Sequence, residues 1–266
     1  MSQTLTTQPT TLQISPTHGH HSEHLYRNSI APYPTPASLS VASSGLNLFN
    51  FSHRPATTQT DSKTQATATL LFENSNAFAR ADGTAGLTGG PLIPIAATSA
   101  SLTAFNVTSG NSKGYNSDAF TRNLVKGLDF YTAPKETFKF DLSGFLALDT
   151  QSTSRREKAI ARGNTSIFVY ATDAHGTTTA IDRLLISGRK NRNETSFNLK
   201  FSNGFTLNTQ TTPLSLSANE LSFNGTYSRT FKTATTLTFV ATQDTETRAS
   251  RKPPSIRDHK PHSRLT

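Results

Sequence analysis

The chain has 266 residues, of which 33% are hydrophobic and only 16% charged, with one methionine and no tryptophan. Cysteine is absent, which excludes disulfides, thiolate metal sites and a cysteine nucleophile together. The formal charge of +9 is concentrated at one end. Arg248, Arg251, Lys252, Arg257, Lys260 and Arg264 all fall after position 247, so the basic pI describes a tail more than a domain and does not point to nucleic acid as a partner.

Length and composition favour a large β-domain. A body of about 200 residues buries roughly 70% of the surface its unfolded chain exposes. Abundant Ser, Thr and Asn suit strands and polar loops better than helices, because these side chains compete for backbone hydrogen bonds inside a helix. No run of about 18 apolar residues is present, so no membrane span is expected. The start, MSQTLTTQPTTLQIS, has neither a basic n-region nor an apolar h-region and does not read as a signal peptide.

Residues 1–55 read as a disordered arm rich in Thr, Ser, Pro and His, with too little apolar surface to offset the entropy of ordering. Its LNLFNF run (46–51) is expected at most to dock or form an edge strand. The tract HGHHSEH gathers His18, His20, His21 and His24, candidate metal ligands that lack a rigid scaffold and supporting partners. Residues 56–247 read as an antiparallel β-sandwich, jelly-roll-like, and residues 248–266 as a basic disordered tail.

Within the body, QATATLLF (65–72) and TSASLTAFNV (98–107) alternate as strands, separated by a long connection over 73–97. AFTRNLVKGLDFYT (119–132) places Phe120, Leu124, Leu128 and Phe130 on one parity. FKFDLSGFLALDT (138–150) places Phe138, Phe140, Leu142, Leu146 and Leu148 on one face, with Asp141 and Asp149 on the other, read as its solvent side. TSIFVYAT (165–172) is apolar on both parities and predicts a central strand. It turns through Asp173–Gly176 into TAIDRLLISG (179–188). TSFNLKF (195–201) alternates, Asn203–Gly204 reads as a turn, and Asn224–Gly225 reads as a hairpin turn after NELSF. RTFKTATTLTFVATQ (229–243) is the last strand.

Catalytic constellations are missing from the pattern. Asp141 and Asp149 are about 26 Å apart on one extended strand, whereas paired glycosidase carboxyls sit about 5–10 Å apart. His175, the lone histidine of the body beyond His53, lies in a turn, and neither a GxSxG elbow nor a phosphate-cradling glycine loop occurs. Asn111, Asn116 and Asp118, or Asn74, Asn76 and Asp82, could offer oxygen ligands to calcium, but one carboxylate per loop is a low charge count and Asx turns explain both stretches. No cofactor is expected.

Three stretches resemble, in order, the β-sandwich of secreted cyanobacterial proteins that often end in a PEP-CTERM sorting tag. They are NSKGYNSDAF (111–120), VKGLDFYTAPKETFKFDLSGFLALDT (125–150) and AIARGNTSIFVYATD (159–173). Tyr115 with Asn116, Phe138 with Phe140, Leu146 with Leu148 and Thr150, and Ala159 with Ala161 and Gly163 take the family's motif positions. The resemblance implies an exported surface or extracellular-matrix protein and supplies no catalytic residues. The chain departs from it at both ends, with no signal peptide at the start and a Pro/Arg/Lys tail where the sorting motif and anchor would follow Gln243.

The expectation is a non-enzymatic structural or adhesive β-sandwich protein, at a cell surface or in an extracellular matrix, with surface polysaccharide or matrix components as partners. One alternative is a polyanion-binding or capsid-like β-protein that uses the basic tail. Another is a carbohydrate-binding module, which requires Tyr115, Tyr131 and Tyr227 to form an exposed platform.

Overall fold

The computed structural model describes residues 4–5, 37–71, 76–111, 114–173, 176–215 and 217–252. Their strands are β1 (Thr4–Leu5), β2 (Ser38–Phe49), β3 (Thr57–Leu70), β4 (Asn76–Thr88), β5 (Ser99–Asn111), β6 (Tyr115–Thr132) and β7 (Thr137–Ser152). They continue as β8 (Glu157–Thr172), β9 (Thr178–Asn191), β10 (Thr195–Phe201), β11 (Phe205–Pro213), β12 (Ala218–Thr230) and β13 (Thr235–Arg251), with a single 3-10 turn at Ile95–Ala97. No helix among them is long and apolar enough to cross a membrane.

All pairings are antiparallel and build two sheets. One runs β1-β3-β6-β13-β8-β9-β10 and the other β11-β12-β7-β2-β5-β4, and together they form the β-sandwich expected from sequence. β4–β5, β8–β9, β9–β10 and β11–β12 are neighbours within a sheet, whereas most other connections carry the chain across to the opposite sheet. That alternation interleaves distant segments, so β13 lies between β6 and β8.

The structure corrects the expected boundaries. β2, assigned from sequence to a disordered arm ending at residue 55, pairs with β5 on one side and β7 on the other and is an interior strand. Its inward residues begin Ser38, Ser40, Ala42 and Ser44, while the apolar Leu39 and Val41 take the opposite face, so the inward face here is not the hydrophobic one. The expected 73–97 connection contains β4, whose inward Ala79 and Ala81 conceal it for the same reason. At the other end β13 continues to Arg251 and removes Arg248 and Arg251 from the expected tail.

Two local expectations also change. Asn224–Gly225 is not a turn: β12 runs straight through it, with Gly225 opposite both Leu207 and Leu142. A Cβ there would lie 2.0 Å from the Thr206 carbonyl oxygen, so glycine serves the close approach of β11 rather than a reversal. In β6 a bulge, with Asp129 at φ 56°, shifts the register against β13. Phe130 therefore points inward while Phe120, Leu124 and Leu128, placed with it by simple parity, lie on the outer face, half-buried.

The interior has two unlike ends. At one, Phe51, Phe130, Phe138, Phe140, Phe205, Tyr227 and Phe239 interlock, with ring centroids 4.8 Å apart for Phe205–Tyr227, 5.1 Å for Phe140–Tyr227 and 5.1 Å for Phe51–Phe140. Such offset and edge contacts each add about 0.5–1.5 kcal/mol beyond area burial. At the other end, where β2 begins and β13 finishes, the inward side chains include Ser38, Ser40, Ser44, Asn106, Thr108, Ser117, Thr121, Asn123, Gln243, Thr245 and Thr247, all buried.

Candidate functional site

The polar end is held by hydrogen bonds, most of which cross between the sheets. Asn106 on β5 donates from Nδ2 to Thr245 O at 2.7 Å and to Thr245 Oγ1 at 3.0 Å, and its Oδ1 accepts from Thr121 Oγ1 at 2.6 Å. Asn123 donates to Thr103 O at 2.6 Å and accepts from Ser62 Oγ at 2.7 Å. Ser40 Oγ donates to Arg248 O at 2.9 Å, and the Tyr115 hydroxyl is bonded to Ser38 Oγ. The Tyr115 ring packs on Gly110, where a Cβ would come within 2.2 Å of it, and burial pushes the Tyr115 hydroxyl pKa up. Not every polar group is paired. Ser44 Oγ, Thr108 Oγ1, Thr165 Oγ1, Thr247 Oγ1 and Gln243 Nε2 have no partner among the described residues.

Near the aromatic end a single carboxylate joins the sheets. Asp182 on β9, 5% exposed, accepts from Ser202 Oγ at 2.5 Å, Tyr227 OH at 2.9 Å and Arg229 Nη1 at 2.7 Å, the last two from β12. Burial alone would raise its pKa. The donors from Ser202, Arg229 and Tyr227 outweigh burial and hold it below the usual carboxylate range, while burial and the Asp182 charge push the Tyr227 hydroxyl up. A carboxylate saturated by three donors is a fixed anchor rather than a proton carrier.

Asp149 behaves differently and corrects the expectation that it faces solvent. It is 4% exposed, with Gln151 Nε2 at 3.5 Å from Oδ2 and no partner among the described residues for Oδ1. Burial raises its pKa against the pull of Ser217, Gln151 and Lys190. Lys190, itself lowered by burial, donates to Thr195 Oγ1 at 2.5 Å and Asn219 Oδ1 at 2.9 Å. Asp141, at the far end of β7, accepts from Asn50 Nδ2 at 2.7 Å, so the two aspartates have separate local roles.

The outer face of the seven-stranded sheet is a charged and aromatic plane. Arg122–Asp244 at 2.7 Å, Arg248–Asp118 at 2.5 Å and Arg162–Glu246 at 3.7 Å link β6, β13 and β8. Arg122 also lies over the Phe120 ring at 5.5 Å, and Phe168 and Tyr170 sit 6.1 Å apart on β8, half-buried.

The residues singled out from sequence are dispersed. Asp118 is occupied by Asn116 Nδ2 at 2.6 Å and by Arg248, whereas Asn111 ends β5 in the other sheet, so the three do not form a calcium site. Asp82 is paired with Arg80 at 2.6 Å. Arg251 reaches the buried Glu157 at 3.4 Å, and Lys252 is exposed. His18, His20, His21, His24, Asn74, His175, Arg257, Lys260 and Arg264 lie outside the described residues. No group of three or more His, Asp or Glu side chains among the described residues is gathered as for a metal ion. Tyr115 and Tyr227 are fully buried and Tyr131 alone is exposed, at 62%, so the three tyrosines form no platform.

Sequence reading missed the Asp182 clasp because its members come from β9, β12 and the β10–β11 turn. An aspartate on the same parity as the apolar Leu184 and Ile186 in TAIDRLLI was the available signal. No protein-family model matches the chain, and neither does any curated protein or solved structure, so the interior clasps and the paired outer face are the features from which a function follows.

Proposed function

We propose that the chain is a non-catalytic structural or adhesive β-sandwich module that works at a cell surface or in an extracellular matrix and meets polysaccharide or matrix components. The observation that carries this reading is the Asp182 clasp. The buried Asp182 carboxylate is committed to joining the two sheets, with three donors filling it at 2.5–2.9 Å. The broad outer face of the seven-stranded sheet, with its cross-strand ion pairs and the Phe168–Tyr170 rings, suits contact with an extended partner. The resemblance of residues 111–173 to secreted cyanobacterial sandwich proteins supports the location.

Fractionation of native cells tests it. The protein is expected in the surface or matrix fraction, released by washing the matrix away. Recovery wholly with the cytosolic proteins overturns the reading.

A further inference from the structure

Four arginines left unspent by the pairing described above lie on or beside two neighbouring turns. The β7–β8 turn carries Arg155 and Arg156, and the β9–β10 turn carries Arg192 and Asn193. Arg155, Arg192 and Asn193 line a cleft of about 410 Å³, within the range of small-ligand sites, and Arg189, Asn191, Glu194 and Ser196 line a neighbouring one of about 270 Å³. Arg155, Arg156, Arg189 and Arg192 are exposed, and none of their guanidinium groups has a partner among the described residues. This sets them apart from Arg80, Arg122, Arg229, Arg248 and Arg251, each of which is held by a carboxylate.

Both turns are built to hold their shape. Glu157 Oε2 accepts from Thr153 N at 3.2 Å, Thr153 Oγ1 at 3.2 Å and Ser154 N at 3.1 Å, while its Oε1 faces Arg251. Asn191 Oδ1 accepts from the backbone N–H groups of Asn193 and Glu194, both at 3.0 Å. Thr150 Oγ1 donates to Asn191 O at 2.9 Å and ties β7 to β9 beside the two turns. The arginines are therefore carried on fixed backbone, which reduces the entropy lost on binding.

A second feature points the same way. Arg162 and Arg189 are direct cross-strand partners on the outer face, a like-charge pairing that is unfavourable alone, and the Arg162 Nε has no partner among the described residues. Glu246 at 3.7 Å from Arg162 and Glu194 on the rim offset only part of this charge. Guanidinium forks recognise tetrahedral and planar oxyanions by paired hydrogen bonds.

We infer that the Arg155–Arg192 cleft, extended by Arg189, is a binding site for sulfate or phosphate ester groups on a polysaccharide. The inference rests on the adhesive reading and adds the ligand's chemistry. The 410 Å³ cleft has room for a sugar unit around the oxyanion. Arg189 and Arg162 continue the positive line along β9 and β8 for a neighbouring ester.

Titration of the full chain with dextran sulfate, with neutral dextran and inorganic sulfate as controls, tests it. Dextran sulfate is expected to bind, neutral dextran to bind not at all, and inorganic sulfate to compete only weakly. The Arg155→Gln/Arg192→Gln double variant is expected to lose at least about tenfold in affinity with an unchanged thermal midpoint. Substitution of Arg257, Lys260 and Arg264 by glutamine separates the tail's charge and is expected to cost less than the cleft variant. Equal affinity of the cleft variant and the parent overturns the inference, as does loss only in the tail variant. Equal retention on neutral and sulfated dextran also overturns it while leaving the adhesive reading intact. Retention on neither, combined with a cytosolic location, ends both.

Discussion

The two ends of the sandwich are built from opposite chemistries on the same strands. β6, β7 and β13 each run the length of the molecule, yet their inward residues pass from Phe130, Phe138, Phe140 and Phe239 at one end to Ser117, Thr121, Thr150, Thr245 and Thr247 at the other. The aromatic end gains from large buried area and ring contacts. The polar end exchanges hydrogen bonds with water for hydrogen bonds across the sheets, each worth only about 0.5–1.5 kcal/mol net. The difference teaches where stability is concentrated and where surface features can be spent on a partner. The aromatic end secures the fold, and the polar end carries the basic clefts, the start of β2 and the end of β13.

The largest expected effect lies at the aromatic end. Phe140 touches Phe51, Phe138, Phe205, Tyr227 and Phe239, so Phe140→Ala leaves a cavity that the surrounding rings cannot collapse into, with a loss of about 3–5 kcal/mol in denaturant unfolding. A loss below about 1 kcal/mol would show that this end is not the anchor.

Asp182→Asn comes next, at about 2–3 kcal/mol near neutral pH, because it removes the charge that Arg229 faces and leaves one of three donors badly matched. The folded pKa of Asp182 is depressed, so its contribution is present above the unfolded carboxylate pKa of about 4 and is lost as pH falls through the lower folded value. The gap between parent and variant should therefore narrow in acid. A gap independent of pH between neutral and strongly acidic conditions would remove the charge from the explanation.

The smallest effect has the opposite sign. Asp149 is buried with a raised pKa, so its folded-state advantage is present at pH below the unfolded value and is lost as pH rises through the folded one. Asp149→Asn should stabilise the protein at neutral pH by about 1 kcal/mol or less and do nothing in acid. Destabilisation at neutral pH would mean that the charge is compensated.

This contrast also explains how much was legible in the sequence. The aromatic end announces itself, since Phe138, Phe140, Leu142, Leu237 and Phe239 alternate as large apolar side chains, and the all-β class and most strands follow from them. The polar end does not. Ser38, Ser40, Ala42 and Ser44 face inward on an interior strand, and Ala79 and Ala81 do so on β4, without any hydrophobic period to mark them. Burial there is set by small size and by partners such as Asn106 and Tyr115 from distant strands. Parity failed at Phe130 because a bulge flips the chain, and Asn224–Gly225 misled because a glycine serves close strand approach as well as turns. The Asp182 clasp and the Arg155–Arg192 cleft each need cross-strand register, which composition and spacing do not contain.

The most direct measurement is amide hydrogen exchange on the full chain with and without dextran sulfate. Protection confined to residues 150–157 and 189–196, with the turns at 133–136 and 202–204 unchanged, is the predicted result. Protection at those aromatic-end turns, or none anywhere despite measured binding, would contradict the assignment of anchoring to one end and contact to the other.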